Sequence, residues 1–184
     1  MHDVDYIAAL DLVVLPVAQS FDPDLVILAA GFDAAAGDPL GGCELTPAGY
    51  AAMTRRFMSL ARGKLVLALE GGYNTEVTSE CFAACVGAML DGEAEPASSG
   101  VPKGLRLRKN THTAKLLWEL SRTLAPHWEV LQGDDYEARY TTYFKGGGAP
   151  LVRGDPGCAT PASVTRRSAR ARTPSARAAA GRTA

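Results

Sequence analysis

Asp33 and Tyr73 are the two side chains whose types and positions could carry chemistry. Each follows directly on a short apolar run that reads as a buried parallel strand, covered on both faces. Residues 25–30 (Leu-Val-Ile-Leu-Ala-Ala) lead into Gly31-Phe32-Asp33, and residues 64–69 (Lys-Leu-Val-Leu-Ala-Leu) lead into Glu70-Gly71-Gly72-Tyr73-Asn74. If the two strands are neighbours, a carboxylate that accepts and a phenol that donates hydrogen bonds reach the same carboxyl edge. Open α/β sheets build their sites at that edge.

The intervening residues supply the elements that would hold this pair in place. Thr46 suits a helix N-cap and Pro47 the first helical position, where a missing N–H does no harm. Tyr50, Met53, Phe57, Leu60 and Ala61 then share one helical face, Arg55, Arg56 and Ser59 lie largely elsewhere, and Gly63 is a stop. Beyond Tyr73, Asn74 or Thr75 can cap a helix with an apolar stripe of Val77, Cys81, Ala84, Cys85 and Ala88, ended by Gly92. Ahead of the first strand, Asp3 can cap a helix carrying Ile7, Leu10, Val14 and Val17, kinked or ended near Pro16. The order α-β-α-β-α is half of a doubly wound sheet.

The string Gly31-Phe32-Asp33-Ala34-Ala35-Ala36-Gly37-Asp38-Pro39-Leu40-Gly41-Gly42, followed by Leu69-Glu70-Gly71-Gly72-Tyr73-Asn74, resembles the end of a class II histone deacetylase catalytic domain, nearest to the IIb branch. The likeness runs from about Asp3 to Asp91 and returns in residues 127–131 (His-Trp-Glu-Val-Leu), which resemble that domain's last helix. It implies a partial arginase/deacetylase-like α/β fold, a parallel sheet with flanking helices. It also implies a zinc-dependent amide hydrolase acting on acetylated lysine of histone or other proteins. By this resemblance Asp33 takes the role of a zinc ligand, and Tyr73 donates its hydroxyl to the substrate carbonyl. An open zinc position polarises the amide and acidifies bound water. A fixed hydroxyl stabilises the oxyanion of the tetrahedral intermediate. Leu40 falls at the mouth of the family's acyl-lysine tunnel, with Gly71 and Gly72 along the channel. Relatives that prefer polyamines carry a glutamate at the Leu40 position, so leucine points to acyl-lysine.

The departure from the family matters equally. Its other two zinc ligands, an aspartate and a histidine spaced one apart, have no match here, nor does its adjacent histidine pair. The histidines are His2, His112 and His127, none in such a string. A catalytic zinc normally takes three protein ligands and a water, and one carboxylate does not hold it. The expectation is therefore the C-terminal part of a deacetylase domain, with an incomplete zinc site and no activity alone. The alternative of another class is a non-catalytic deacetylase-like interaction module. A metalloureohydrolase is a distant third, its aspartate-rich metal strings being absent.

Taken singly, an aspartate after a strand is usually a turn or capping residue, and a tyrosine after two glycines a packing aromatic. The long strings reverse that for Asp33 and Tyr73. They do not for Asp38, expected to rigidify the Gly-Asp-Pro turn, or for Glu70, expected to be a structural partner at the strand end. Gly71 and Gly72 allow close backbone approach, whether for the tyrosine's turn or for substrate.

Cys81 and Cys85, four apart, read as a core stripe, while Cys43 and Cys158 lie in a loop and the tail. No spacing forms a zinc finger or disulfide framework. With no apparent signal peptide and no apolar run of membrane-spanning length, the expected location is the cytoplasm or nucleus. The expected boundaries are 1–131 for the deacetylase part and 132–184 for a low-complexity, disordered basic tail. Within the first part, residues 3–91 carry the strong match, 92–104 form a linker and 105–131 a terminal helical region. That region starts near Asn110 or Thr111, lines up Leu117, Leu120 and Leu124, and breaks at Pro126. The 184-residue chain has a net charge of −1, distributed as −6 over residues 1–131 and +5 over the tail. The tail is read as a solvated extension rather than a nucleic-acid-binding or import segment.

Overall fold

Val26–Ala30 (β1) and Leu65–Leu69 (β2) pair as a two-stranded parallel sheet, with Val26 opposite Leu65 and Ala30 opposite Leu69. The two apolar runs are thus neighbours, and both chains leave the sheet at the same edge. This is a computed structural model, and it describes residues 1–95 and 112–144. The tail from 145 onward and most of the expected linker lie outside the described residues.

The crossover from β1 to β2 is the helix Pro47–Phe57 (α3), capped as its sequence dictates: the Thr46 hydroxyl accepts the Gly49 N–H at 3.1 Å. After α3 the chain turns through Met58–Leu60 and a 3-10 turn at Ala61–Gly63, so the helix ends six residues before Gly63 rather than at it. The helix Thr75–Asp91 (α4) follows β2, capped by the Asn74 side chain and ended by Gly92 in the left-handed conformation, φ 69°. Its buried stripe is Cys81, Cys85 and Ala88. Burial raises the Cys81 thiol to about 11 and also pushes Cys85 up, keeping both protonated as core side chains.

The sheet is covered differently from expectation. Leu28, Ala30 and Leu67 pack against Phe32, Tyr50, Cys81 and Cys85, on the side of α3 and α4. On the other face Ile27 is 68% and Val66 47% exposed. A continuous apolar run marks strand residues on both faces, and among the described residues one face has nothing over it.

The N-terminal helical stretch consists of Asp3–Ala9 (α1), a π-helical turn Leu10–Val14 and Leu15–Phe21 (α2). Pro16 lacks an N–H, and its ring crowds the carbonyl four residues back. The wide π-turn just ahead of it lets the helix continue past the proline, where a kink or an end was expected. The N-cap is His2, whose N–H donates to the Asp5 carboxylate at 2.8 Å. Asp3, expected as that cap, instead accepts from the Thr46 N–H (2.8 Å) and hydroxyl (2.7 Å), tying α1 to the start of α3. By length and composition the stretch Asp3–Phe21 could cross a membrane, contrary to the sequence expectation. Half of it is buried in the fold, where Ile7, Ala8, Leu12, Val13 and Leu15 are core residues.

His112–Leu124 (α5) and Gly133–Tyr143 (α6) complete the described chain, and their core joins Leu12 and Val13 to Leu117, Leu131, Tyr136 and Tyr140. Helix α6 corrects the boundary placed at residue 131. Tyr136, Tyr140, Tyr143 and Phe144 recur at helical spacing and are all buried, so residues 133–144 belong to the folded part. The Tyr140 hydroxyl donates to the Ala114 carbonyl at 2.7 Å, and its ring lies 5.0 Å from Trp118 and 4.5 Å from Phe144.

Candidate active site

The loops that carry Asp33 and Tyr73 leave the sheet side by side and are joined by backbone bonds. The Glu70 N–H donates to Ala30 O at 3.0 Å and the Phe32 N–H to Gly71 O at 2.9 Å, extending the ladder past the last strand residues. Phe32 is wholly buried, its ring 4.9 Å from Tyr50 and 5.9 Å from Phe82. That anchor fixes the residue immediately before Asp33. The Tyr50 hydroxyl donates to Gly31 O at 3.3 Å, and burial raises the pKa of that phenol, keeping it a donor. Beyond Asp33 the loop is pinned by Leu45 N–H to Ala34 O (3.1 Å) and Ala36 N–H to Leu45 O (2.8 Å).

The two glycines before Tyr73 sit in close quarters, and Gly72 is required by its backbone conformation. A Cβ on Gly71 would stand 3.2 Å from an Asp33 carboxylate oxygen, so the Asp33 side chain lies directly against the second loop. Gly72 has φ 130°, and a Cβ there would run into the Thr78 hydroxyl and approach Phe32. The structure therefore brings Asp33, Gly71 and Gly72 together, with Tyr73 next along the chain. Tyr73 and Leu40 are 59% and 70% exposed, placing both at the surface of this edge.

Asp38 does more than rigidify its own turn. One carboxylate oxygen accepts from the N–H groups of Leu40 (2.8 Å) and Gly41 (3.1 Å). The other accepts the N–H of Tyr73 at 2.7 Å. Desolvation pushes this carboxyl upward, but the N–H donors of Tyr73, Leu40 and Gly41, with Asn74, outweigh it and hold the pKa below the ordinary value. Asn74 closes a parallel link. Its Nδ2 donates to Gly37 O at 3.0 Å, while its Oδ1 accepts the Val77 N–H at 3.3 Å. Sequence reasoning missed both cross-loop bonds. An aspartate ahead of Pro-Leu-Gly-Gly and an asparagine at a helix start signal local turns and caps, not a partner some 35 residues away.

Residues 1–89 match the histone deacetylase domain family. The chain carries part of a histone deacetylase domain. Histone deacetylase 5 of Arabidopsis thaliana is 46% identical over 128 residues, covering 65% of this chain and 19% of that protein. Human histone deacetylase 7 is 38% identical over 134 residues, 72% of this chain and 14% of that protein. Among solved structures, the histone deacetylase Clr3 superposes with a TM-score of 0.63 at 39% identity, over 72% of this chain and 21% of that one. The HDA15 HD domain superposes with a TM-score of 0.58 at 38% identity, over 71% of this chain and 33% of that one. The chain thus spans a fifth or less of the length of these two curated relatives.

The deacetylase family implies a zinc ion, and the resemblance in sequence gives Asp33 as the expected ligand. Among the described residues, however, no group of three or more histidine, cysteine, aspartate or glutamate side chains could hold a metal. One carboxylate falls short of the three protein ligands of a catalytic zinc. The described residues by themselves do not fit the metal.

Proposed function

We propose that this deacetylase segment supplies one wall of a protein-lysine deacetylase site, with Tyr73 as the hydroxyl donor to the substrate carbonyl. The observation that carries this is the pairing of β1 with β2. It delivers the Asp33 loop and the Gly71-Gly72-Tyr73 loop to one edge, within the stretch that matches the deacetylase family.

Tyr73 is exposed at that edge, as a group must be if it is to meet a substrate. Its phenol donates a hydrogen bond where negative charge develops on the amide oxygen, a contribution of about 3–4 kcal/mol for one well-placed donor. Leu40, exposed on the adjoining loop, offers an apolar contact to the methylene stem of an acyl-lysine and no charge to attract a second ammonium. Asp33 would be one zinc ligand. The remaining ligands and the proton-transfer groups of such a site would come from outside the described residues. The substrate class is acetylated lysine on histone or other proteins, and the location cytoplasmic or nuclear.

Turnover of an acetyl-lysine peptide by a protein containing this segment tests the assignment. Tyr73→Phe should lower kcat by about 10²–10³ while leaving KM nearly unchanged. Unaltered kcat in Tyr73→Phe would overturn it.

A further inference from the structure

Tyr73 presents a mechanical problem. Its ring is 59% exposed, so packing does not fix its direction, and it follows Gly72, whose backbone has the widest conformational range of any residue type. A hydroxyl that must meet a developing charge has to be held in place before the reaction, or the gain is lost in ordering it. What holds Tyr73 is its backbone, and the bond at its N–H comes from the other loop.

We propose that Asp38 is a positioning residue for Tyr73, its carboxylate clamping the tyrosine's N–H to the loop that carries Asp33 and Leu40. The geometry is specific. Oδ1 accepts the Leu40 and Gly41 N–H groups, which fixes the carboxylate within its own loop. Oδ2 then points across to the Tyr73 N–H at 2.7 Å, a short, charge-assisted contact. The Asn74 to Gly37 bond of 3.0 Å secures the next residue in the same direction. Asp38 touches no substrate and acts through Tyr73. Its place in the deacetylase reaction therefore rests on the role proposed for the Tyr73 hydroxyl, whereas the clamp itself does not.

The test is NMR of the full 184-residue chain labelled with ¹⁵N-tyrosine, which gives six amide signals. In Asp38→Ala the Tyr73 amide should move upfield and exchange with solvent faster by about tenfold, the loss expected for one charge-assisted hydrogen bond. The amides of Tyr6, Tyr50, Tyr136, Tyr140 and Tyr143 should stay in place. Asp38→Asn keeps a carbonyl oxygen, so its Tyr73 amide should fall between wild type and Asp38→Ala. Should Asp38→Ala perturb all six signals, Asp38→Asn decides: a selective change at Tyr73 supports the clamp, and none refutes it. A Tyr73 amide with wild-type shift and exchange rate in a folded Asp38→Ala protein overturns the proposal. Turnover by Tyr73→Phe is read separately. A Tyr73 amide that responds to Asp38, beside unaltered turnover in Tyr73→Phe, would leave the clamp standing and remove the deacetylase role.

Discussion

Asp11 and Arg56 meet at 2.8 Å with both side chains shut off from solvent. Asp11 sits on the π-helical turn ahead of Pro16 and Arg56 on α3. The second Asp11 oxygen accepts from the Tyr143 hydroxyl of α6, and Arg56 also pairs with Glu95 at 2.8 Å and donates to the Ala52 carbonyl at 3.3 Å. One carboxylate thus joins the N-terminal helical stretch, the crossover helix and the last described helix. Removing one member of a buried pair strands the other, whereas replacing both with apolar groups of similar volume need not cost stability.

Asp11→Ala should therefore lower the unfolding free energy by about 3 kcal/mol, measured by urea denaturation. The double change Asp11→Leu with Arg56→Met should recover most of that loss. If the double variant were as unstable as the single ones added together, shape rather than charge would govern this contact.

Burial pushes the Asp11 carboxyl up to about 6 from an ordinary 3.8, against the lowering pull of the Arg56 bond and charge. A carboxyl raised on folding contributes stability that is fully present below its unfolded value and lost as pH rises through its folded one. Between pH 4 and pH 7 wild type should thus lose up to ~3 kcal/mol relative to Asp11→Asn. Urea titrations of both proteins across that range measure the difference, and a flat difference would mean that Arg56 keeps Asp11 ionised throughout.

Asp33→Asn and Tyr73→Phe should fail in different ways in a protein that contains this segment and turns over acetyl-lysine. Replacing an anionic ligand with a neutral amide should release zinc, whereas loss of the phenol oxygen should leave metal content intact and reduce kcat. Metal analysis after dialysis, run beside the peptide assay, separates them. Zinc loss from Tyr73→Phe would contradict the assignment.

Tyr140→Ala should cost about 3–5 kcal/mol, as for other large-to-small changes in a packed core. It removes a ring set between Trp118 and Phe144 together with the hydroxyl bond to Ala114. Thermal unfolding followed by Trp fluorescence would report it. A change below about 1 kcal/mol would mean that α6 does not contribute to the core.

The uncovered face around Ile27 and Val66 should make the 184-residue chain bind a hydrophobic dye and associate at high concentration. Ile27→Lys should reduce both without lowering stability, because the side chain already faces solvent. Undiminished dye binding in Ile27→Lys would place the sticky surface elsewhere.

Much of this arrangement was legible in the residues themselves. Thr46 with Pro47, Asn74 and Gly92 mark helix ends through local chemistry, and the two apolar runs could only be strands of this length. The exceptions share a cause: they depend on partners far away in sequence. Arg56 lies largely off the apolar face that the spacing predicts, yet Asp11 and Glu95 allow it to be wholly buried. The α6 stripe escaped notice because acids, Thr141 and an arginine interrupt its aromatics in sequence, although they lie off the buried face. Pro16 signalled a kink or an end, and nothing local announced that a π-turn would accommodate it. At the site, Asp33 and Tyr73 stood out by their strings, while the reach of Asp38 to Tyr73 depended on the β1–β2 register.

The crosslinks between the two edge loops have a consequence for engineering. Ala30 with Glu70, Phe32 with Gly71, Gly37 with Asn74 and Asp38 with Tyr73 make the segments 30–42 and 70–74 a single unit split across the chain. A graft that replaces Asp38 would orphan the Tyr73 N–H, and one that replaces Asn74 would orphan the Gly37 carbonyl, whereas the two backbone–backbone bonds do not depend on side-chain identity. Libraries at this edge should therefore hold Asp38 and Asn74 fixed while the other positions of the two segments vary.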